Sequence, residues 1–182
     1  MPVDHQRRRA VIAGIAVSGT ILLGGGTWLT IDGPHQPLSI QAALIELDKL
    51  MVTSPTLNGD WDLAQMLTHC AQSVEYSMVG FPEHKSAVFK HSVGALAFGL
   101  FAAKGRMTHG LSEPIPGAPL LEAGGSVAQA GMRLQRALHE FDDFKGLLAP
   151  HFAYGYLSKP QYEQAHVMHF YNHLTQLQEQ HA

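Results

Sequence analysis

From residue 38 onward, apolar side chains recur at spacings of three and four residues, and no segment alternates apolar and polar positions. This spacing is the period of an α-helix, and it gives each helix one apolar stripe that must be buried against another helix. We therefore predict an all-α fold, a bundle with one long crossover connection at 108–125. The predicted helices cover residues 39–52, 62–79, 85–104, 126–144 and 158–180.

Local signals mark where these helices begin. Asp62 with Gln65, and Ser158 with Gln161, have the spacing of a capping box, in which side chains satisfy the first free backbone amides. The segment 85–104 is apolar and rich in small residues, so we predict a buried helix of the bundle. In the segment 126–144 the residues predicted to face inward are Ala130, Leu134, Leu138 and Phe141.

The composition allows one packed domain with a terminal appendage. The chain has 182 residues, 46% of them hydrophobic and 15% charged, and a net charge of −3. Its only dense basic run is Arg7 to Arg9, so no broad basic face is available and we expect no nucleic-acid partner. The single cysteine, Cys70, excludes an intramolecular disulfide and a cysteine-rich zinc site, and we expect it to be a small buried hydrophobe.

The N-terminus has the order of an export signal. The three arginines precede about twenty uncharged residues at 10–29, and the adjacent arginines resemble a twin-arginine signal. The alternative is an uncleaved membrane anchor, since the stretch is about long enough to span a bilayer. In both cases the positive-inside rule places the remaining chain outside the cytoplasm. The expected domains are 1–33, a signal or anchor with a linker, and 34–182, the helical bundle.

The two interpretations of the N-terminus predict where the protein is located and which partners it has. The twin-arginine export machinery is one expected partner, and the membrane is another if the segment is not cleaved. The protein is then periplasmic, or anchored to the outer face of the cytoplasmic membrane. The sequence leaves the oligomeric state open, with a homodimer as one option.

Three histidines share one face of the last predicted helix. His166, His169 and His173 fall within an arc of roughly 60°, in the middle of the stripe that faces inward. Burying an imidazole is unfavourable unless both ring nitrogens find partners. Two interpretations follow: core histidines hydrogen-bonded to nearby groups, or a metal site, because adjacent turns can direct two imidazoles at one point.

A metal site would need a ligand from another helix. His69, in the middle of the second helix on the flank of its apolar stripe, is the best candidate, with a polar boundary residue as the alternative reading. His91 is a weaker candidate, and His139 is expected to be solvated. The histidines in termini and loops are expected at the surface: His5, His35, His84, His109 and His181.

Three stretches resemble the DinB-like superfamily of metalloproteins, in particular a branch whose members often carry twin-arginine signals. They are residues 61–80, with His69 at the centre, residues 150–155 (PHFAYG) and residues 168–174 (MHFYNHL). The resemblance implies a DinB-like four-helix bundle in which His69, His169 and His173 bind a divalent metal. The sequence departs from that branch at Asn172, where a histidine is frequent, and at His166, where none is fixed.

The resemblance also implies a chemistry. Three imidazoles leave a coordination position open, which is the arrangement of catalytic sites. The expected activity is that of a metal-dependent thiol transferase or hydrolase acting on a small molecule, with a thiol as one candidate. Zinc, nickel, iron, copper and manganese all suit the ligand set. Candidates for residues beside the metal or the substrate are His151, Tyr76, Tyr162 and His166, whereas the helical phase of Glu75 directs it away.

Two other functions remain open. The first is a non-catalytic exported bundle, a binding or stress-response protein whose histidines are structural. The second is a metal-storage or haem bundle, although the chain lacks the Cys-x-x-Cys-His motif of c-type haem attachment.

Overall fold

A computed structural model describes residues 36–177, and in this range the protein is all-helical without a β-strand. The all-α prediction is confirmed, while the signal or anchor predicted at 1–33 lies outside the described residues. A short π-helical segment, Lys90–Gly94, joins the helices Ala87–Phe89 and Ala95–Lys104. None of the helices described is long and apolar enough to cross a membrane. The helices are α1 (Ile40–Thr53), α2 (Leu63–Val79), α3 (Ala87–Phe89), α4 (Ala95–Lys104), α5 (Val127–Asp143) and α6 (Lys159–Leu174).

The predicted capping boxes begin α2 and α6. The Asp62 side chain accepts a hydrogen bond from the Gln65 amide, and the Gln65 side chain accepts one from the Asp62 amide. Ser158 and Gln161 make the same reciprocal pair before α6. These local bonds satisfy backbone amides that have no partner inside the helix, so the sequence locates both starts correctly.

The last helix ends at Leu174, so the prediction that it continues to about residue 180 is wrong. The backbone turns at Thr175, whose hydroxyl donates to the carbonyl of Asn172. The carbonyl of Gln176 then accepts a hydrogen bond from the amide of Asn58, and Leu177 bridges to Leu57. Backbone groups that would have extended the helix are thus bonded to the loop between α1 and α2.

The core forms where α2 packs along α5 and against α6, with α1 covering α5 and α6. The four residues of α5 predicted to face inward are all buried, which confirms the helical phase of that segment. Cys70 is buried in the same core, as expected, and burial raises the pKa of its thiol. Because α2 and α6 are held side by side, side chains from the two helices can meet.

The prediction of a buried helix at 85–104 is wrong, since most of its side chains are exposed. Only Gly94 and Phe98 are buried there. A Cβ atom at Gly94 would lie 1.9 Å from the carbonyl oxygen of Ala153, so the close approach of the two backbones requires glycine. Phe98 packs in a small second cluster with residues of α6. The segment therefore contacts the domain along one narrow edge, and apolar composition alone did not indicate this.

Two helix-free connections lie beside the α2–α6 contact. The first, residues 105–126, joins α4 to α5, as the sequence predicts. The second, residues 144–158, joins α5 to α6, and in it His151 and Gly155 exchange two backbone hydrogen bonds. The Ala149 amide in this connection donates to the carbonyl of Ser77 on α2. Both connections supply residues to the site described next.

Candidate metal centre

Three histidines from two helices meet at one point. His69 comes from α2, and His169 and His173 come from adjacent turns of α6. The Nε2 atom of His169 lies 3.1 Å from Nε2 of His69 and 3.2 Å from Nε2 of His173. One ring nitrogen of each lies within 4.8 Å of the others, so these histidines, here called the histidine trio, are close enough to bind a metal ion.

The spacing of the trio fits a metal better than it fits hydrogen bonds. A zinc ion with Zn–N bonds of about 2.0–2.1 Å in tetrahedral geometry separates its nitrogens by about 3.3–3.4 Å, close to the spacing here. Hydrogen bonds could serve both contacts only if His169 Nε2 accepted two N–H groups on its single lone pair, or shared its one N–H between two acceptors. The Nδ1 atoms of His69 and His173 are buried and have no hydrogen-bond partner among the described residues.

Burial keeps these imidazoles neutral. Burial, and secondly the charge of His109, lower the pKa of His69 to about 4. Burial, followed by the charges of His69 and His109, lowers the pKa of His173 to about 3. The pKa of His169 lies well below its usual value for the same reasons, with burial again the largest. Neutral imidazoles have the free lone pairs that a metal ion requires, so the trio is ready to bind at neutral pH.

Two aromatic rings that sequence reasoning did not assign to the site enclose the trio. Trp61, just before α2, lies 4.9 Å from the His69 ring and is stacked on the His173 ring at 6.0 Å. His109 lies 4.8 Å from the His169 ring and 5.1 Å from the His173 ring, measured between centroids. The expectation that His109 is a surface residue is therefore wrong. It lies in a helix-free connection without periodicity, so the sequence offered no signal for its position.

A cavity of about 350 Å³ opens beside the trio. His69 and His169 form part of its wall, together with three other histidines: His109, His151 and His166. Two charged residues, Lys85 and Glu113, also line it. The rest of the wall includes the apolar side chains of Phe89, Met107, Ile115 and Phe152. A small organic molecule can therefore reach the trio from this cavity.

His166, the third histidine of the predicted face, is not part of the trio. Its Nε2 atom lies 3.2 Å from the hydroxyl oxygen of Ser77, which itself donates to the carbonyl of Val74 at 2.6 Å. The Ser77 oxygen must then be the acceptor, so His166 carries its proton on Nε2. The His166 ring also stacks on Tyr162, and burial lowers the pKa of His166 to about 3.

His151 is fixed in one tautomer by its own loop. Its Nδ1 atom accepts hydrogen bonds from the amides of Ala153 and Tyr154, at 3.1 and 3.2 Å. The proton of the neutral ring is therefore on Nε2, where it can be donated. The ring stacks on Tyr154 with centroids 4.3 Å apart. Burial, followed by the charges of His166 and His84, lowers the pKa of His151 to about 3.

The other candidates lie away from the cavity wall. The Tyr162 hydroxyl donates to the carbonyl of Ala149 at 2.7 Å, and the Tyr76 ring packs against Phe81. Glu75 forms a two-pronged ion pair with Arg133 at 2.9 and 2.6 Å, which agrees with the prediction that it points away from His69. The histidines exposed as expected are His84 and His139, and His91 is also exposed, whereas His5, His35 and His181 lie outside the described residues.

The chain matches a known protein family. A family model described as "Protein of unknown function (DUF1569)" matches residues 36–180, most of the chain and all the residues of the trio. No curated protein and no solved structure matches the chain.

Proposed function

We propose a function for this chain, which belongs to the DUF1569 family: it binds one divalent metal ion at the histidine trio and acts on a small molecule in the adjoining cavity. The observation that carries the proposal is the convergence of three Nε2 atoms, 3.1 and 3.2 Å apart, at the wall of that cavity. Catalytic metal sites combine three protein ligands with an accessible position in this way.

The metal and the surrounding side chains have separate roles in this proposal. When bound, the ion would make a water molecule more acidic or hold a thiol as the thiolate. His151 offers a fixed Nε2–H donor to a substrate in the cavity. Lys85 and Glu113 offer charged groups that can orient it. The apolar part of the wall limits the access of water, and His166 holds α6 against α2.

The proposed architecture is a DinB-like four-helix bundle made of α1, α2, α5 and α6. Support comes from the placement of the trio, with one ligand on α2 and two on α6, the same helices that the sequence resemblance implies. The contacts among these four helices also support it. The segment containing α3 and α4 is then an addition on the outside.

The proposed reaction is thiol transfer or hydrolysis. Every ligand of the trio is an imidazole nitrogen, a donor set that accepts zinc, nickel, iron, copper and manganese. Each metal should therefore be tested separately in the reconstitution.

Metal content is the direct test. The purified full-length chain should contain, or take up after reconstitution, one metal ion per chain as measured by elemental analysis. A variant with His69→Ala, His169→Ala and His173→Ala should contain none. The exposed His139→Ala variant is the matched control, because it also removes an imidazole, and it should bind as the parent does. A parent that takes up none of the five metals would overturn the proposal.

The competing function is a non-catalytic binding or stress-response module with structural histidines. His166 favours this competing function, because the Ser77 hydroxyl satisfies the His166 Nε2 atom, as expected for a polar residue in a core. The two Nε2 contacts of His169 fit this function less well, because one lone pair or one N–H would have to serve both His69 and His173. This function requires the trio variant to lose stability while the parent remains free of metal.

We propose that the chain is exported by the twin-arginine route. Its support is the arginine cluster at 7–9 followed by the uncharged stretch 10–29. A chain with Arg8→Lys and Arg9→Lys should remain in the cytoplasm of a host that has the twin-arginine pathway, whereas the parent should reach the periplasm or its membrane face. Export of both chains alike would exclude this route.

We propose that two copies of the chain form a homodimer. Its support is the row of exposed apolar side chains on the segment 87–104, which includes Val88, Val93 and Leu96. Light scattering should report a dimer for the parent and a monomer for Leu96→Glu. A monomeric parent would exclude the homodimer.

A further inference from the structure

We propose that His109 is a fourth imidazole ligand of the metal centre, supplied by the connection between α4 and α5. This inference rests on the proposed function, since it needs a metal at the trio. It goes further because His109 belongs to neither helix that carries the trio, and a ligand from a helix-free connection can leave the metal when substrate arrives.

Distance is the first argument. The ring centroids inside the trio are 4.9 Å apart for His69 and His169, 4.9 Å for His169 and His173, and 5.1 Å for His69 and His173. The His109 ring lies 4.8 Å from that of His169 and 5.1 Å from that of His173. His109 is therefore as close to two members of the trio as those members are to one another.

The tautomer of His109 is the second argument. Its Nδ1 atom lies 2.7 Å from the carbonyl oxygen of Gly110, and a carbonyl oxygen only accepts, so Nδ1 carries the proton. The lone pair is then on Nε2, the atom that each member of the trio also directs to the centre. Nε2 of His109 is buried and has no hydrogen-bond partner in the described part of the chain. The set of ring nitrogens within 4.8 Å of one another contains the trio and not His109, so ligation requires the His109 imidazole to move toward the trio. A buried lone pair without a partner is a group that such a shared cation would satisfy.

The Gly110 carbonyl accepts a hydrogen bond from the ring nitrogen of His109 that would not bind the metal. Ligating histidines usually donate their second N–H to a carbonyl or carboxylate, which fixes the ring. Among the histidines at this centre, His109 has such an acceptor in its own loop. The loop is itself anchored, because Met107 and Ile115 on either side are buried in the two hydrophobic clusters.

Four imidazoles would complete a tetrahedral set, and this changes how a substrate gains access. The trio is carried by two packed helices and stays in place, whereas His109 is carried by residues 105–126, which contain no helix. A substrate that enters the cavity would reach a bound metal only where His109 gives up its place. His109 would then be an exchangeable ligand, while the trio holds the ion.

Cobalt titration of the full-length chain tests the inference, because the positions and strengths of the visible absorption bands of Co²⁺ depend on its ligands. In His109→Ala a solvent molecule would replace the imidazole, so the bands should shift relative to those of the parent and the affinity for Co²⁺ should be lower. Losing a hydrogen-bond partner of a ligand reduces metal affinity roughly 10–100-fold, so losing the ligand itself should reduce it by at least about tenfold. Added free imidazole should restore the absorption of the variant.

Azide provides a second measurement, since it competes for the position that His109 would occupy. If His109 fills that position about nine-tenths of the time, azide should bind the cobalt form of His109→Ala about ten times more tightly than that of the parent. His139→Ala, with its exposed imidazole removed, should match the parent in both measurements. Unchanged absorption, cobalt affinity and azide affinity in His109→Ala would overturn this inference alone. A parent that binds no Co²⁺ would overturn both this inference and the proposal that the trio binds this ion.

Discussion

His166 on α6 donates a hydrogen bond from Nε2 to the hydroxyl oxygen of Ser77 on α2, across a distance of 3.2 Å. Both residues are buried, and the Ser77 hydroxyl donates its own hydrogen bond to the carbonyl of Val74. The contact joins the helices that carry the trio, so it contributes to the separation between His69 and the two histidines of the trio on α6. His166 thus supports the site through the packing of the helices.

Removing this contact should reduce stability and leave metal stoichiometry unchanged. His166→Ala leaves the Ser77 oxygen without its donor, and we expect the free energy of unfolding to fall by about 1–3 kcal/mol. Ser77→Ala is the matched variant, and a double-mutant cycle of urea denaturation curves should give a coupling energy of about 1 kcal/mol. One metal ion per chain should remain in both variants. Loss of the metal from His166→Ala, with the fold intact, would make His166 a ligand.

Acid should destabilise the metal-free protein. The pKa values of His151 and His166 in the folded chain are about 3, whereas the value of an unperturbed histidine is 6.5. Between these values the unfolded chain takes up protons that the folded chain does not, so stability is complete above about pH 6.5 and falls as the pH decreases. Each residue should account for a loss of about 2 kcal/mol between pH 7 and pH 5.

Denaturation curves in the presence of a chelator at pH 7, 6 and 5 measure this loss. His166→Gln should show a smaller dependence on pH than the parent, because it removes one of the buried histidines whose pKa is lowered. If the stability of the parent does not change over this range, the two imidazoles are not neutral in the folded protein below pH 6.5.

Metal binding should release few protons. Burial lowers the pKa of His69 to about 4 and that of His173 to about 3, so both imidazoles are already neutral at pH 6. Three ordinary histidines would release about two protons per ion at that pH. Calorimetric titrations with metal at pH 6, in buffers that differ in ionisation enthalpy, measure the number of protons released per ion. This number should be near zero. A release of two protons would show that the trio is protonated before it binds.

Gly94 should not tolerate a side chain. A Cβ atom at this position would lie 1.9 Å from the Ala153 carbonyl oxygen, and the Ala153 amide donates to His151. Gly94→Ala should therefore push the loop away and lower the free energy of unfolding by about 1–3 kcal/mol. Gly99→Ala in the same segment is the control, because a Cβ atom there has no neighbour within 4 Å. Equal melting temperatures for the two variants would contradict the close approach.

The helix starts and the trio could be predicted because their signals are local. Capping boxes involve residues three apart, and the spacing of His169 and His173 places both imidazoles on one face of α6 whatever the rest of the chain does. His69 was the best candidate for a partner from its position in the middle of α2, but helical spacing alone left a polar boundary residue as the alternative, because His69 and His169 are 100 positions apart.

The predictions that the structure contradicts failed for a common physical reason: each depends on contacts with distant parts of the chain. The burial of residues 85–104 depends on which surface faces them, and an apolar composition does not contain that information. His109 reaches the centre through a connection rich in proline and glycine, where no periodicity reports the direction of a side chain. Residues 175–177 leave the helix because distant backbone groups at Leu57 and Asn58 bond to them.

The ligands of the histidine trio are all neutral, and no carboxylate belongs to the set. Carboxylate ligands cancel part of the charge of the ion they hold, whereas imidazoles leave it intact. A divalent ion held here would keep two positive charges at the wall of a largely apolar cavity, where attraction is weakly screened. The centre would therefore favour molecules that arrive negatively charged, or become so on losing a proton, over neutral molecules of the same shape.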